Sequence, residues 1–137
     1  MTVLRSRSAA RRGSTLIESA LTLASFAILM AGIMELGFTG LVSNSISFAA
    51  QRAARYASVR GSASGHPAAV SDIQATAQQY ASPLNPIDLT VTVTWTPNNN
   101  PGSLVEVDVS YSFTPTLLPL SATALTLKSK ARQAIVQ

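Results

Sequence analysis

The 137-residue chain contains no cysteine and a single histidine, His66. The lack of cysteine excludes a disulfide framework, a zinc–thiolate centre and a thiol nucleophile, and one histidine is too few for the common metal sites. The sequence also contains no glycine-rich phosphate loop and no serine–histidine–aspartate set. We therefore predict no catalytic residues, no metal and no cofactor, and we expect a protein that is not an enzyme.

Charge is also scarce, because 12% of the residues are charged while 47% are hydrophobic. This composition excludes a disordered protein and favours a membrane protein. The net charge of +4 comes from the N-terminal end, where four arginines precede the first acidic residue: Arg5, Arg7, Arg11 and Arg12. No basic stripe or aromatic platform continues this patch, so we expect no nucleic-acid partner. The arginines instead favour a cytoplasmic N-terminus.

A long uncharged run follows the arginines. Residues 19–34 carry no charge, and after Glu35 the uncharged run resumes as far as Gln51. A helix of about 20 apolar residues crosses the roughly 30 Å hydrocarbon core, and Leu16–Val42 supplies this length. We predict one membrane span with the C-terminal part outside the cytoplasm. A cleaved secretory signal fits less well, because its apolar core would be about 7 to 15 residues long.

The helical pattern continues to about Val59, and a flexible link is predicted at 61–67, with Gly61 as the helix stop. Beyond it the spacing predicts a short helix at 68–81. Strict alternation predicts strands at 87–95, 105–113 and 125–132, with a hairpin loop at 97–102 and a connector at 114–123.

The predicted fold class is α+β: a long N-terminal transmembrane and stalk helix, followed by a small extracytoplasmic head. In the head, one short helix packs on an antiparallel sheet of about three strands, with Val70, Ile73 and Tyr80 as the lid. We interpret Glu106 and Asp108 as surface residues on one strand face. The predicted organisation is a basic, cleaved leader at 1–13, the helix at 14–60 and the head at 61–137.

Glu18 stands at the start of the apolar run, and a carboxylate near the centre of a span costs roughly 2.5 to 3.5 kcal/mol on insertion scales. One interpretation places it in the first helical turn at the headgroups, where the helix dipole favours an acid. The other begins from Gly13, which follows a basic stretch. Cleavage after Gly13 would create an amino group at Ser14, within one helical turn of the carboxylate.

The stretch Arg-Arg-Gly-Ser-Thr-Leu-Ile-Glu at 11–18, followed by an apolar helix, resembles the leader of type IV pilins and pseudopilins. Residues 32–37 and 49–57 resemble, more specifically, the TadE family of minor pseudopilins of the Tad (tight adherence, Flp-type) pilus. The resemblance implies that a prepilin peptidase cuts between Gly13 and Ser14. It also implies that Glu18 neutralises the new N-terminus of a neighbouring subunit.

The resemblance further implies a location in the bacterial inner membrane, with incorporation into a pilus. The implied partners are the peptidase, the inner-membrane assembly platform, other pilins or pseudopilins and membrane lipid, and the implied role is to start or cap a filament. Two alternatives stay open. One is a minor pseudopilin of type II secretion or of a type IVa pilus, and the other is an uncleaved single-pass anchor with a partner-binding head.

Small residues recur at four-residue spacing along the helix, and in lipid such residues let helix backbones approach closely. The candidate packing residues are Ala20, Ala24, Ala27 and Ala31, and the spacing recurs at Ala49, Ala53 and Ala57. Glu35 is a candidate to pair with Arg52 of another subunit or to reach the outer interface.

Overall fold

The computed structural model describes residues 6–82, 84–115 and 124–137. The fold is α+β, as predicted. Its elements in chain order are helix α1 (Ser6–Ser58), helix α2 (Val70–Tyr80), a 3-10 turn (Pro86–Asp88) and strands β1 (Leu89–Thr96), β2 (Leu104–Phe113) and β3 (Leu125–Ala134). The 53 residues of α1 form one continuous helix about 80 Å long, which confirms the predicted long helix and extends it back into the basic N-terminal segment.

The strands form an antiparallel sheet in the order β1-β2-β3. Because side chains alternate along a strand, one face carries most of the apolar residues of the three strands and the other face carries most of their polar residues. Val105, Val107 and Val109 of the central strand are completely buried. The polar face carries the threonines of β1, the acids of β2 and the basic residues of β3. The predicted strands and hairpin loop are thus confirmed.

The apolar face of the sheet is covered mainly by the C-terminal third of α1. From Val42 onward, one side of α1 joins the same hydrophobic core as the sheet: Val42, Ile46, Ala49, Ala50, Ala53, Ala54 and Ala57 are each at most 2% exposed. The predicted lid was correct for Ile73, which is buried, and wrong for Val70 and Tyr80, which are 40% and 41% exposed. Helix α2 has only 11 residues, and the long alanine-rich face of α1 lies closer to the sheet.

The first strand begins two residues later than the alternation predicted. Pro86 starts a 3-10 turn, and the Asn85 side chain accepts a hydrogen bond from the Ile87 backbone N–H at 3.2 Å. This capping places Ile87 outside the ladder, where 89% of it is exposed. The inward alternation therefore starts at Leu89.

Hydrogen bonds join the segment predicted as a flexible link to the hairpin loop between β1 and β2. The Ser62 backbone N–H donates to the Asn99 carbonyl at 2.8 Å, and its hydroxyl donates to Asn100 Oδ1 at 2.7 Å. The Val136 N–H donates to the Ser58 carbonyl at 2.9 Å. We call the region where residues 58–62, 98–103 and 135–137 meet the apical junction. Of the predicted connector, residues 116–123 lie outside the described residues.

Candidate functional site

Residues 13–41 of α1 expose many large apolar side chains, and we call them the exposed apolar segment. Its large apolar side chains are at least 56% exposed at Leu16, Ile17, Leu21, Leu23, Phe26, Ile28 and Leu29. Within the described parts of the chain, α1 is the one helix long and apolar enough to cross a membrane. The segment is about 43 Å long at 1.5 Å per residue, which exceeds the roughly 30 Å hydrocarbon core.

Hydroxyl groups inside this segment are bonded to the helix itself. The bonds run back four residues and measure 2.8 to 2.9 Å: Ser19 to the Thr15 carbonyl, Thr22 to Glu18, Ser25 to Leu21 and Thr39 to Glu35. In a bilayer a hydroxyl without a partner is costly, whereas a hydroxyl bonded to its own helix needs no water. These polar residues are therefore compatible with lipid around the helix.

The candidate packing alanines and the hydroxyl-bearing residues lie on opposite sides of α1. At 3.6 residues per turn, Ala20, Ala24, Ala27 and Ala31 share one side of the helix. Glu18, Ser19, Thr22 and Ser25 share the other. The later alanines, at 49, 53 and 57, instead contact this chain's own sheet and are buried.

The position of Glu18 in α1 determines whether the helix dipole can stabilise its carboxylate. Because α1 begins at Ser6, Glu18 lies in the fourth turn of the intact chain, and the first turn contains no acid. The helix dipole acts mainly within the first turn, so it favours Glu18 only if the chain is shortened. Ser14 lies one turn before Glu18, about 6 Å along the axis. A methyl group added at Gly13 would meet nothing within 4 Å, so packing does not require this glycine.

Glu35 and Arg52 are far apart within one chain. They are separated by 17 positions, or about 25 Å along the helix axis. Glu35 lines a shallow hollow together with Leu36, Thr39 and Pro115. The predicted pairing with another subunit therefore remains a prediction.

Arg52 stacks on two aromatic rings of its own chain. Its guanidinium carbon lies 4.9 Å from the centre of the Phe48 ring and 5.6 Å from that of Tyr80. The two rings meet edge to face at 5.7 Å. The four-residue spacing of Phe48 and Arg52 could have indicated the first contact, but nothing in the local sequence indicates the contribution of Tyr80.

The two acids predicted to share a strand face do so, and each has a partner on β3. Glu106 forms ion pairs with Arg132 and Lys130. Lys130 Nζ also lies 3.1 Å from Asp108 Oδ2. Hydrogen bonds from Arg132, and secondly from Lys130, lower the pKa of Glu106 below its ordinary value. Hydrogen bonds to Asp108, and secondly to Glu106, raise the pKa of Lys130. This arrangement neutralises the carboxylates, which is unlike a general acid and base pair.

Residues that could hold a metal ion do not come together in the described parts of the chain, where no group of three or more histidine, aspartate or glutamate side chains occurs. His66 lies exposed in the loop before α2. The chemistry of the candidate site is therefore that of an apolar helix with one carboxylate, Glu18, close to the N-terminal end of its apolar part.

Residues 13–55 match the family model described as TadE-like protein. The match confirms the resemblance to the TadE family, and it extends from Gly13 through Glu18 and Glu35 to the part of α1 that covers the sheet. The TadE-like family is a structural, pilus-associated family. No curated protein and no solved structure matches the chain.

Proposed function

We propose that this chain, which is TadE-like over residues 13–55, is a minor pseudopilin of a Tad (Flp-type) pilus and secretion system. The observation that carries the proposal is the change of surface along α1, which is apolar and largely exposed over residues 13–41 and buried on one side from Val42 onward. A soluble monomer rarely exposes an apolar surface of this extent. Lipid and neighbouring helices are the surroundings that remove it from water.

The proposed topology follows from the charges that flank this surface. The leader arginines hold the N-terminus in the cytoplasm, and the head lies outside the bacterial inner membrane. A prepilin peptidase then cuts after Gly13. In a helix interior, glycine is less favourable than alanine by about 1 kcal/mol, so Gly13 favours the local unwinding that a peptidase requires.

Glu18 would act after this cut. An ionised carboxylate in lipid is stabilised by a close opposite charge, and the new ammonium group at Ser14 of a neighbouring subunit can supply it. Each added subunit would then bring one acid and one amine to the same depth of the membrane. Through this pairing the chain joins other pilins or pseudopilins on the inner-membrane assembly platform, where it starts or caps a filament.

The substitution Glu18→Gln tests the pairing, because it keeps the side-chain size and removes the charge. Breaking a buried ion pair costs roughly 3 to 5 kcal/mol, and 1.4 kcal/mol is a factor of ten. We therefore expect at least a tenfold loss of the protein from sheared pili or from crosslinked assembly complexes. Asp88→Asn is the matched control, because it neutralises an exposed acid in the head. Normal incorporation of Glu18→Gln would refute the pairing.

N-terminal sequencing tests the cleavage separately. Protein extracted from membranes should begin at Ser14, and Gly13→Ala should leave the chain uncut although the added methyl group has room. Gly40→Ala is the control, since it also adds a methyl group in open space on α1. A wild-type protein that begins at Met1 or Thr2 would support the uncleaved anchor instead.

A further inference from the structure

The end of the sheet opposite the apical junction is apolar and exposed. Ile87 is 89% exposed and Leu125 is 49% exposed. Leu125 pairs with Phe113 at the end of β2, and Ile87 comes just before β1, so these residues lie at the same end of the sheet. Pro115 follows Phe113 by two residues. We call Ile87, Phe113, Pro115 and Leu125 the basal rim.

Pro115 shows which part of α1 the basal rim lies beside. This residue lines a hollow together with Ile33, Leu36 and Thr39, all of which belong to the exposed apolar segment. Phe113 is two residues away, or about 7 Å along an extended chain. Because this hollow extends along α1 from Leu29 to Thr39, the basal rim lies beside the outer half of the surface proposed to cross the membrane.

From this position we infer that the basal rim rests on the lipid of the outer leaflet, so that the head lies directly on the bilayer. The inference rests on the proposed membrane span. Helix α1 runs without interruption from the exposed apolar segment into the core of the head. The head therefore cannot be lifted from the bilayer without pulling the segment out, and apolar side chains at that height are removed from water by lipid.

The residues just above the basal rim fit the interface. Phe48 and Tyr80 are 43% and 41% exposed, and Arg52 lies over both rings. Phe48 lies six residues beyond Val42, or about 9 Å along the axis. Aromatic residues concentrate at the headgroup level, and arginine is attracted to anionic headgroups. The 3-10 turn beside the basal rim (Pro86–Asp88) contains one charged residue, Asp88. Its carboxylate accepts a hydrogen bond from the Asn85 side chain at 3.0 Å.

The absence of cysteine from the chain allows a direct test with single-cysteine variants. The full chain is reconstituted in phosphatidylcholine vesicles with a minor share of phosphatidylglycerol, and Ile87→Cys, Leu125→Cys, Ile28→Cys and Ala63→Cys each carry an environment-sensitive fluorophore. Ala63 is exposed beside the apical junction, and Ile28 lies in the span. We expect nitroxide-labelled lipid to quench the labels at positions 87 and 125 several-fold more than the label at position 63, and aqueous iodide to show the reverse order.

The label at Ile28 separates failure of this inference from failure of the proposed function. Without lipid quenching at Ile28, the span and the proposed function fall together. With lipid quenching at Ile28 but behaviour like Ala63 at Ile87 and Leu125, only the contact between head and bilayer is overturned. Shielding from iodide that grows with protein density, without lipid quenching, would show a second copy on the basal rim and also overturn it. The emission of Trp95 reports that each variant is folded.

Discussion

Gly61 is the position where the smallest added group should disturb the head most. A methyl group there would overlap the Gln137 backbone oxygen and Ile135 Cγ2. Both separations are far below van der Waals contact. The glycine is not needed for its backbone conformation, because the positive φ angles in the described residues belong to Gly65 and Gly102. Space alone requires glycine at this position.

The expected cost of Gly61→Ala follows from what would have to move. Ile135 is only 2% exposed, so its side chain has little space to move into and the surrounding chain must shift. Forcing one extra carbon into a packed site costs about 1 to 3 kcal/mol. The shift would also stretch the 2.8 Å bond from the Ser62 N–H to the Asn99 carbonyl, and such a bond contributes about 0.5 to 1.5 kcal/mol. We expect the free energy of unfolding to fall by about 2 to 3 kcal/mol.

Urea unfolding of the full chain in detergent micelles measures this loss, with the emission of Trp95, the single tryptophan, as the signal from the head. With a slope of about 1 to 3 kcal/mol per molar urea, the midpoint should fall by roughly 0.7 to 3 M. Gly40→Ala is the control, because the same methyl group there meets nothing within 4 Å. An unchanged midpoint for Gly61→Ala would show that the apical junction is not packed as described.

Two further predictions concern the sheet. The pKa of Glu106 is lowered in the folded protein by Arg132 and Lys130, so its contribution to stability is present above its ordinary pKa near 4.5 and is lost as pH falls through the lower folded value. The free energy of unfolding, measured from neutral to acidic pH, should fall in the wild type and fall less in Glu106→Gln. An equal fall in the two proteins would refute this prediction. Ala53→Leu should lower the unfolding free energy of the head by about 1 to 3 kcal/mol through overpacking, whereas Ala24→Leu on the exposed segment should not, and equal effects would contradict the assigned contacts.

The elements that could be predicted from the sequence are those set by local periodicity. Period-two alternation from Leu89 to Trp95 marks one side of a strand wherever its partner lies, and the spacing in α2 marks a helix. Ile87 shows where this reasoning fails, because it continues the alternation although the Asn85 side chain and Pro86 form a turn first. Local hydrogen bonding to the backbone overrides the pattern at this position.

The candidate site also contains features that the local sequence indicates and features that it does not. Gly13 and Glu18 could be proposed from the sequence because the pattern that suggests them is a short stretch beside an apolar run. The contact between Arg52 and Tyr80 could not, since it requires α2 to lie against α1, and that packing depends on the whole core. The hydrogen bonds that join Ser62, in the predicted flexible link, to Asn99 and Asn100 could not be predicted for the same reason. A run rich in glycine and serine indicates a lack of local structure, but it does not show which distant backbone groups come near.

The two alanine series have the same spacing but different surroundings in this chain, and the residues on the opposite side of the helix differ as well. Opposite the series at 49, 53 and 57 lie Gln51, Arg52 and Arg55, which are exposed. A helix with one polar and one apolar side in water must bury the apolar side in its own protein, and here the sheet covers it. Around residues 20–31 no side of the helix is charged. No sheet of this size could cover such a helix completely, which supports the proposal that lipid and other helices cover it.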